Sequence, residues 1–188
     1  RQIRPTIDAV MAARPDAITM HKGIASSCWG PYAGKLPLIL QSTLARQLAL
    51  YVVLYSPIHM AADLPENYEQ HMDAFQFIRD VAVDWQDTRV LNGEVGDYAT
   101  IVRKDRNSED WYLGSVTDET ARTLKVSLSF LSPRRKYVAE IYRDGDGAHY
   151  KDKPFAFARE TRQVTSVDTL TLWLGAGGGQ AIRFVPKR

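Results

Sequence analysis

Apolar and polar residues alternate with a period of two through the second half of the chain, most clearly over 124–130. Such alternation puts the apolar side chains on one face of a β-strand, and the Gly-, Asp-, Asn- and Pro-rich clusters between the runs are typical of turns. The predicted strands are 98–102, 111–116, 124–130, 137–142, 155–157, 170–174 and 181–185. Seven or eight short strands at this spacing predict an all-β antiparallel sandwich or barrel.

Before residue 81 the apolar pattern is different. Helical spacing begins after Ser42, a candidate N-cap, and Pro57 is expected to stop that helix. The short apolar run 58–62 has the length of a strand buried on both faces, and Tyr68, Met72, Phe75 and Ile78 form one face of a second helix. Helix, buried strand and helix form one repeat of an α/β barrel or open sheet.

Charge density changes at the same point. The first 80 residues hold 14 charged side chains, and residues 81–188 hold 32. A buried α/β unit is expected to have the lower density and a small solvated β-domain the higher one. We therefore predict a domain boundary near residue 81.

Composition excludes several classes. A net charge of +2 in 188 residues argues against a nucleic-acid partner. The longest apolar stretch, 48–58, is too short to span a bilayer. Residues 1–5 show no signal-peptide pattern and no initiator Met, so we expect the sequence to be a fragment. Its one cysteine, Cys28, leaves the redox compartment open.

Several blocks, in this order and spacing, closely resemble glycoside hydrolase family 97, whose members are enzymes of the α-glucosidase and α-galactosidase type. The blocks are STLARQLALYVVLYSP at 42–57, MAADLPENY at 60–68, FQFIRDV at 75–81, DW at 84–85, IVRK at 101–104, WYLG at 111–114, TDETAR at 117–122, IYRDG at 141–145 and AGGG at 176–179.

The resemblance, which covers about 42–188, implies three parts. Residues 42–80 would be the end of a (β/α)₈ catalytic barrel, with 58–62 as its eighth strand, and 81–188 a C-terminal β-sandwich that helps to assemble a homo-oligomer. Residues 1–41 are atypical of the family. The resemblance also implies calcium as cofactor, an α-linked oligosaccharide as substrate, and a periplasmic or cell-envelope location.

The catalytic and calcium-binding glutamates of the family lie upstream of this helix, yet residues 1–41 contain no glutamate. Glycoside hydrolysis needs two placed carboxyl groups. We therefore expect no catalytic, cofactor-binding or metal-binding residue in this chain, and the fragment alone to be inactive. We further hypothesise that 1–41 is foreign to the family, through truncation, fusion or a misread frame.

Asp63 is the one weak candidate for a site residue. It would lie at the C-terminal rim of the barrel, where barrel active sites are found, but beside Pro65 it would equally cap the next helix. With Glu66 it would be the carboxyl pair of an autonomous hydrolase. Three residues apart at one turn, the two carboxyl groups cannot easily flank a glycosidic bond.

Other polar and aromatic residues have two readings each. Asp144 to Gly147 fit a hairpin better than a calcium loop, and Gly177 to Gly179 fit a turn better than a phosphate cradle. The residues 104–110 are most simply a solvated loop. His59 and His71 are expected to be packing or surface histidines, and the large aromatics Trp85, Trp111, Tyr112 and Trp173 are expected to pack or to stack on sugar rings.

Two functions follow. The first is the C-terminal part of a calcium-dependent α-glycosidase, and the second is a non-catalytic β-domain for self-association or carbohydrate binding. Without its barrel neighbours, the first helix is expected to leave Leu48, Val52 and Leu54 partly exposed. On this view residues 81–188 alone would be more soluble and more cooperative than the full chain.

Overall fold

The computed structural model of the chain describes residues 42–59, 68–69 and 71–187. In these residues two helices precede eight strands. The elements are α1 Leu44–Val53, α2 Met72–Asp80, β1 Trp85–Glu94, β2 Tyr98–Asp105, β3 Trp111–Thr117, β4 Arg122–Ser127, β5 Tyr137–Asp144, β6 Phe157–Val164, β7 Thr169–Leu174 and β8 Gly179–Pro186. Every strand pairing is antiparallel, which confirms the predicted all-β fold of this region.

The strands form two sheets of unequal width. The larger has six strands in the order β1-β2-β3-β8-β5-β6, and the smaller consists of β4 and β7. Between the sheets lies a core of buried apolar side chains. It includes Leu113, Ile141, Leu172, Ile182 and Phe184. The fold is therefore a sandwich in which two strands cover only part of a six-stranded sheet.

Helix α1 lies on the opposite, outer face of the larger sheet. Leu48, Ala49 and Val52 are fully buried there, in a second apolar cluster with Tyr112 and Ala181 of the sheet. The expectation that Leu48 and Val52 would be partly exposed is wrong, because the sheet itself covers the helix. Leu54, just after the helix, is half exposed.

The backbone of α1 packs directly against the backbone of the sheet at Gly114. At Gly114 of β3 a Cβ atom would lie 2.6 Å from the carbonyl oxygen of Ala49 and 2.9 Å from Cβ of Val52. Any side chain at this position would push the helix outward. The glycine is therefore what lets α1 lie directly on β3.

The ends of α1 differ from the prediction by a few residues. Thr43 is the N-cap, and its hydroxyl accepts a hydrogen bond from the amide of Arg46. Ser42 is not the cap, because its hydroxyl accepts from the side-chain amide of Gln47 at 2.5 Å. The helix ends at Val53, before Pro57 is reached.

Helix α2 is shorter than the predicted second helix, although Tyr68 and Glu69 before it are also helical. Its buried residues are Ala74 and Phe77, whereas Met72, predicted on the apolar face, is 36% exposed. Phe77 reaches Tyr142 of β5, with ring centroids 5.1 Å apart. Within the described residues, the outer face of the sheet thus decides which side of α2 is buried.

The predicted barrel strand 58–62 is not seen in its described part. Ile58 and His59 belong to no strand, and 60–62 lie outside the described residues. The division near residue 81 coincides with the change from α2 to β1, and it stays a prediction because both helices share a core with the sheet. No helix in the described part of the chain has the length and apolarity to cross a membrane.

Candidate functional site

The N-terminal end of α1 is fixed by Asp144, the last residue of β5, which is completely buried. One carboxylate oxygen accepts from the hydroxyl of Thr43 at 2.5 Å. The other accepts from the amides of Gly175 at 2.9 Å and Gly179 at 3.0 Å. Asp144 therefore joins the helix cap, β5 and the β7–β8 loop at one point.

The β7–β8 loop has a glycine, Gly178, where it contacts the Asp144 carboxylate. A Cβ atom at Gly178 would overlap the Asp144 carboxylate. The amide of Thr43 also donates to the carbonyl of Gly177 at 3.0 Å. Burial raises the pKa of Asp144, while the hydrogen bonds from Thr43, Gly175 and Gly179 act in the opposite direction.

The C-terminal end of α1 is fixed by Arg103 of β2, which is 6% exposed. Its Nε donates to the carbonyl of Val52 at 2.6 Å, and Nη2 donates to that of Val53 at 3.3 Å. Nη1 donates to Thr88 of β1 at 2.9 Å. Burial lowers the pKa of Arg103. This guanidinium satisfies carbonyls that the helix end leaves without partners.

Arg183 of β8 fixes α2 in a similar way. It contacts carboxylates of Asp110 at 2.8 Å, Asp80 at 2.9 Å and Glu140 at 3.7 Å. Tyr112 donates from its hydroxyl to the carbonyl of Asp80 at 2.7 Å. Burial raises the pKa of the Tyr112 hydroxyl. The end of α2 is thus held by one cation and one phenol.

A groove of about 540 Å³ opens beside the first turn of α1. Its lining includes Arg46, Glu94, Asp97, Asp118 and Glu119. Carboxylates outnumber the arginine in this lining, so the groove offers mainly hydrogen-bond acceptors to a polar partner. Burial lowers the pKa of the Arg46 guanidinium, and Asp118 and Asp144 oppose that effect.

Arg122 holds one wall of this groove together. It pairs with Asp118, and it contacts the Asp97 carboxylate at 3.1 Å. Its guanidinium lies 5.2 Å from the ring centroid of Tyr98. The hydrogen bond from Arg122 lowers the pKa of Asp118 to about 2. These contacts connect the β1–β2 hairpin to the turn before β4.

The burial of the candidate aromatic residues indicates which of them pack inside the fold. Trp85, Trp111 and Tyr112 are buried, which favours packing for them, whereas Trp173 is 38% exposed. His59 packs edge to face on Tyr51, with ring centroids 5.0 Å apart. Asp63, the rim candidate, and Glu66 lie outside the described residues.

The solvated-loop interpretation of 104–110 is wrong for Asp110. This residue is 7% exposed, because it contacts Arg183 across the sheet. Sequence reasoning also missed Arg103 and the anchoring role of Asp144. Each of these partners lies far away in the chain: Thr43 and Asp144 are separated by 101 positions. A local pattern holds no signal for such pairs.

The acidic side chains of the described residues are not grouped as metal ligands. Within 42–59, 68–69 and 71–187, no group of three or more His, Cys, Asp or Glu side chains is placed to hold a metal ion. In the acidic turn that begins at Asp144, Asp144 itself is the buried anchor of α1 and Asp146 is exposed. The residues that the structure describes therefore do not form a calcium site.

Comparisons with known proteins point in one direction. The family model described as "Glycosyl-hydrolase 97 C-terminal, oligomerisation" matches residues 84–185. A retaining alpha-galactosidase of Bacteroides thetaiotaomicron is 36% identical over 76% of this chain and 21% of its own length. A probable retaining alpha-galactosidase of Streptomyces bingchenggensis is 30% identical over 73% of this chain and 20% of its own length.

A solved structure gives the same result. A glycoside hydrolase family 97 enzyme from Pseudoalteromonas sp. strain K8, in complex with acarbose, is 54% identical with a TM-score of 0.76. The match covers 79% of this chain and 23% of that enzyme. This chain therefore spans about a fifth of the length of the curated relatives that it matches.

Proposed function

This chain belongs to glycoside hydrolase family 97 through the family's C-terminal domain, and we propose that it is the C-terminal part of an α-glycosidase. The proposed substrates of the whole enzyme are terminal α-galactosidic or α-glucosidic bonds of oligosaccharides. The names of the two curated relatives support the α-galactoside. Further proposals for the whole enzyme are a periplasmic or cell-envelope location and calcium as cofactor, with ligands outside the described residues.

The observation that supports this function best is the anchorage of α1 on the sandwich. We propose that residues 42–80 belong to the end of a catalytic barrel and that the sandwich holds this end in a fixed orientation. A carboxylate at one end of α1 and a guanidinium at the other leave the helix little freedom to tilt. A module tethered by a flexible linker would need no such contacts.

The catalytic carboxyl groups of this enzyme would lie upstream of residue 42. The purified 188-residue chain is therefore expected to show no turnover of p-nitrophenyl α-galactoside or α-glucoside, with or without calcium, while circular dichroism shows that it is folded. Turnover that is lost in Asp63→Ala and kept in Asp146→Ala would instead establish an autonomous hydrolase.

Self-association is the second candidate function, and the description of the matching family model favours it. Three exposed large apolar residues lie in or beside β1, an outer strand of the six-stranded sheet: Val83, Val90 and Val95. An outer strand also presents unpaired backbone groups to a second copy of the chain. We propose β1 as the surface through which copies associate.

Light scattering after size-exclusion chromatography tests this surface. The unchanged chain is expected to form a dimer or larger assembly, and Val90→Lys to shift it toward monomer. Val167→Lys is the matched control, because Val167 is also highly exposed but lies in the β6–β7 turn. A monomer at every concentration would rule out self-association of this chain.

A further inference from the structure

A second cleft lies on the other side of the sandwich, between β7 and the strands β5 and β6. Its volume is about 210 Å³. The side of the cleft formed by the larger sheet includes Arg143, Glu160, Arg162 and Gln180, and the side formed by β7 includes Thr171 and Trp173. We propose that this cleft binds a single neutral pyranose ring of a carbohydrate. Nothing in this proposal depends on catalysis by the chain.

The cleft follows from the unequal width of the two sheets. Two strands cannot cover six, so the inward face of the outer strand β6 stays partly open. By register, Glu160 pairs with Ile141 of the core, and Arg162 pairs with Ala139. Inward positions of a sandwich are normally apolar. Charged side chains at both of these positions show that this part of the inward face is open to solvent and accessible to a polar ligand.

A row of polar residues continues the cleft into the sheet. Thr100, Ser115, Gln180 and Arg143 are paired across β2, β3, β8 and β5. The hydroxyls of Thr100 and Ser115 lie 2.8 Å apart and satisfy each other. Gln180, 3% exposed, has a buried Oε1 with no hydrogen-bond partner among the described residues. A buried amide in this state is costly unless something else pairs with it.

The charged residues of the cleft offer both donors and acceptors of hydrogen bonds. Arg143 lies 3.5 Å from Glu160 and forms an ion pair with it. Arginine donors and a carboxylate acceptor placed side by side match the paired hydroxyl groups of a sugar, which both donate and accept. Glu160 offsets one of the two arginine charges that line the cleft. Hydroxyl groups therefore match both the remaining donors and the carboxylate beside them.

Size and apolar contact agree with one sugar ring. The cleft is smaller than the roughly 300–1,000 Å³ of sites for drug-sized ligands. Trp173 lines the cleft and is 38% exposed, and an indole offers a flat apolar surface for the C–H face of a pyranose. Stacking on a sugar would give a role to Trp173, the one tryptophan among the described residues that is not buried in either core.

Indole N–H signals in a nitrogen–proton correlation spectrum of the full chain test the proposal. The Trp173 signal is assigned as the one that disappears in Trp173→Phe. Titration with methyl α-galactopyranoside or methyl α-glucopyranoside is expected to shift that signal saturably, with a Kd on the order of 1 mM for so small a ligand. The signals of the buried Trp85 and Trp111 are the internal reference.

Matched variants complete the experiment. Arg162→Ala is expected to weaken binding at least tenfold, whereas Arg159→Ala, on the same strand but the opposite face, is expected to leave it unchanged. No Trp173 shift with either glycoside would overturn the proposal. Equal shifts of all indoles, or a response to glucuronate and acetate but not to the neutral glycosides, would overturn it as well. Glycosidase turnover does not enter these readouts.

Discussion

Asp144 and Arg103 hold opposite ends of the same helix: Asp144 accepts from the N-cap Thr43, and Arg103 donates to the final carbonyls of α1. Negative charge at the N-terminus and positive charge at the C-terminus is the arrangement that complements the helix dipole. Both residues belong to the six-stranded sheet. The sandwich therefore recognises α1 by its backbone ends as well as by its apolar face.

Removing the Asp144 carboxylate should destabilise the whole chain. Asp144→Ala leaves three buried donors without an acceptor, which costs about 3–5 kcal/mol in the free energy of unfolding. Asp146→Ala, two residues away and exposed, should change it by less than about 0.5 kcal/mol. Urea unfolding measures both variants, and equal midpoints would contradict the anchoring role.

A side chain at Gly114, where α1 packs on the sheet, should also destabilise the fold. Gly114→Ala places a methyl group 2.6 Å from the Ala49 carbonyl oxygen, and such overpacking costs about 1–3 kcal/mol. In Gly93→Ala, on the outer strand β1, the nearest contact is 3.2 Å, so a smaller loss is expected. Thermal melts of the two variants provide the comparison. The close packing of helix on sheet would be disproved by a Gly114→Ala protein as stable as the parent.

Acid should weaken the contact between Asp118 and Arg122. The pKa of Asp118 is about 2 in the folded chain and 3.8 in an unperturbed aspartate, so its stabilising effect is complete above pH 3.8 and is lost as pH falls toward 2. Asp118→Asn lacks this group and should lose less stability over that interval. Thermal midpoints between pH 2 and pH 5 test this, with Asp146→Asn as control. Parallel curves for Asp118→Asn and the parent would count against it.

Deleting residues 1–80 should make the remaining chain less soluble and less cooperative. The expectation from the sequence was the opposite. The deletion exposes the outer face of the sheet, including Tyr112, Tyr142 and Ala181, and leaves Asp144 and Arg103 without their helix partners. We expect a broader thermal transition and more aggregation by light scattering than for the full chain. A sharper transition in the shortened protein would restore the original expectation.

The sequence predicted the strands whose inward residues are apolar. The alternation at 124–130 and 170–174 marks β4, which ends earlier at Ser127, and β7, and the inward leucines and valine of the two strands form the sandwich core. The alternation did not reveal β6, because the predicted strand 155–157 shares only Phe157 with it. Glu160 and Arg162 take inward positions of β6, and these charged residues hide the period of two. Leu128 and Phe130 are buried although they follow β4 in an irregular segment.

The charged anchors were beyond prediction for a different reason. Arg103, Asp110 and Asp144 look like ordinary surface charges in their local sequence, and only the folded sheet brings each to its partner. Long-range pairing of this kind depends on the register of the strands, which period and spacing do not specify. The resemblance to the family likewise identified the domain but not the contacts that hold α1.

The double anchorage of α1 also determines how the chain opens. A helix held at both ends by groups of the sheet cannot fray independently, so its amide hydrogens should exchange with solvent only when the sandwich opens too. Helix and sheet would then behave as a single foldon. On the proposed assignment of residues 42–80 to a catalytic barrel, the slowest-exchanging unit would extend across the predicted boundary near residue 81 and include α1.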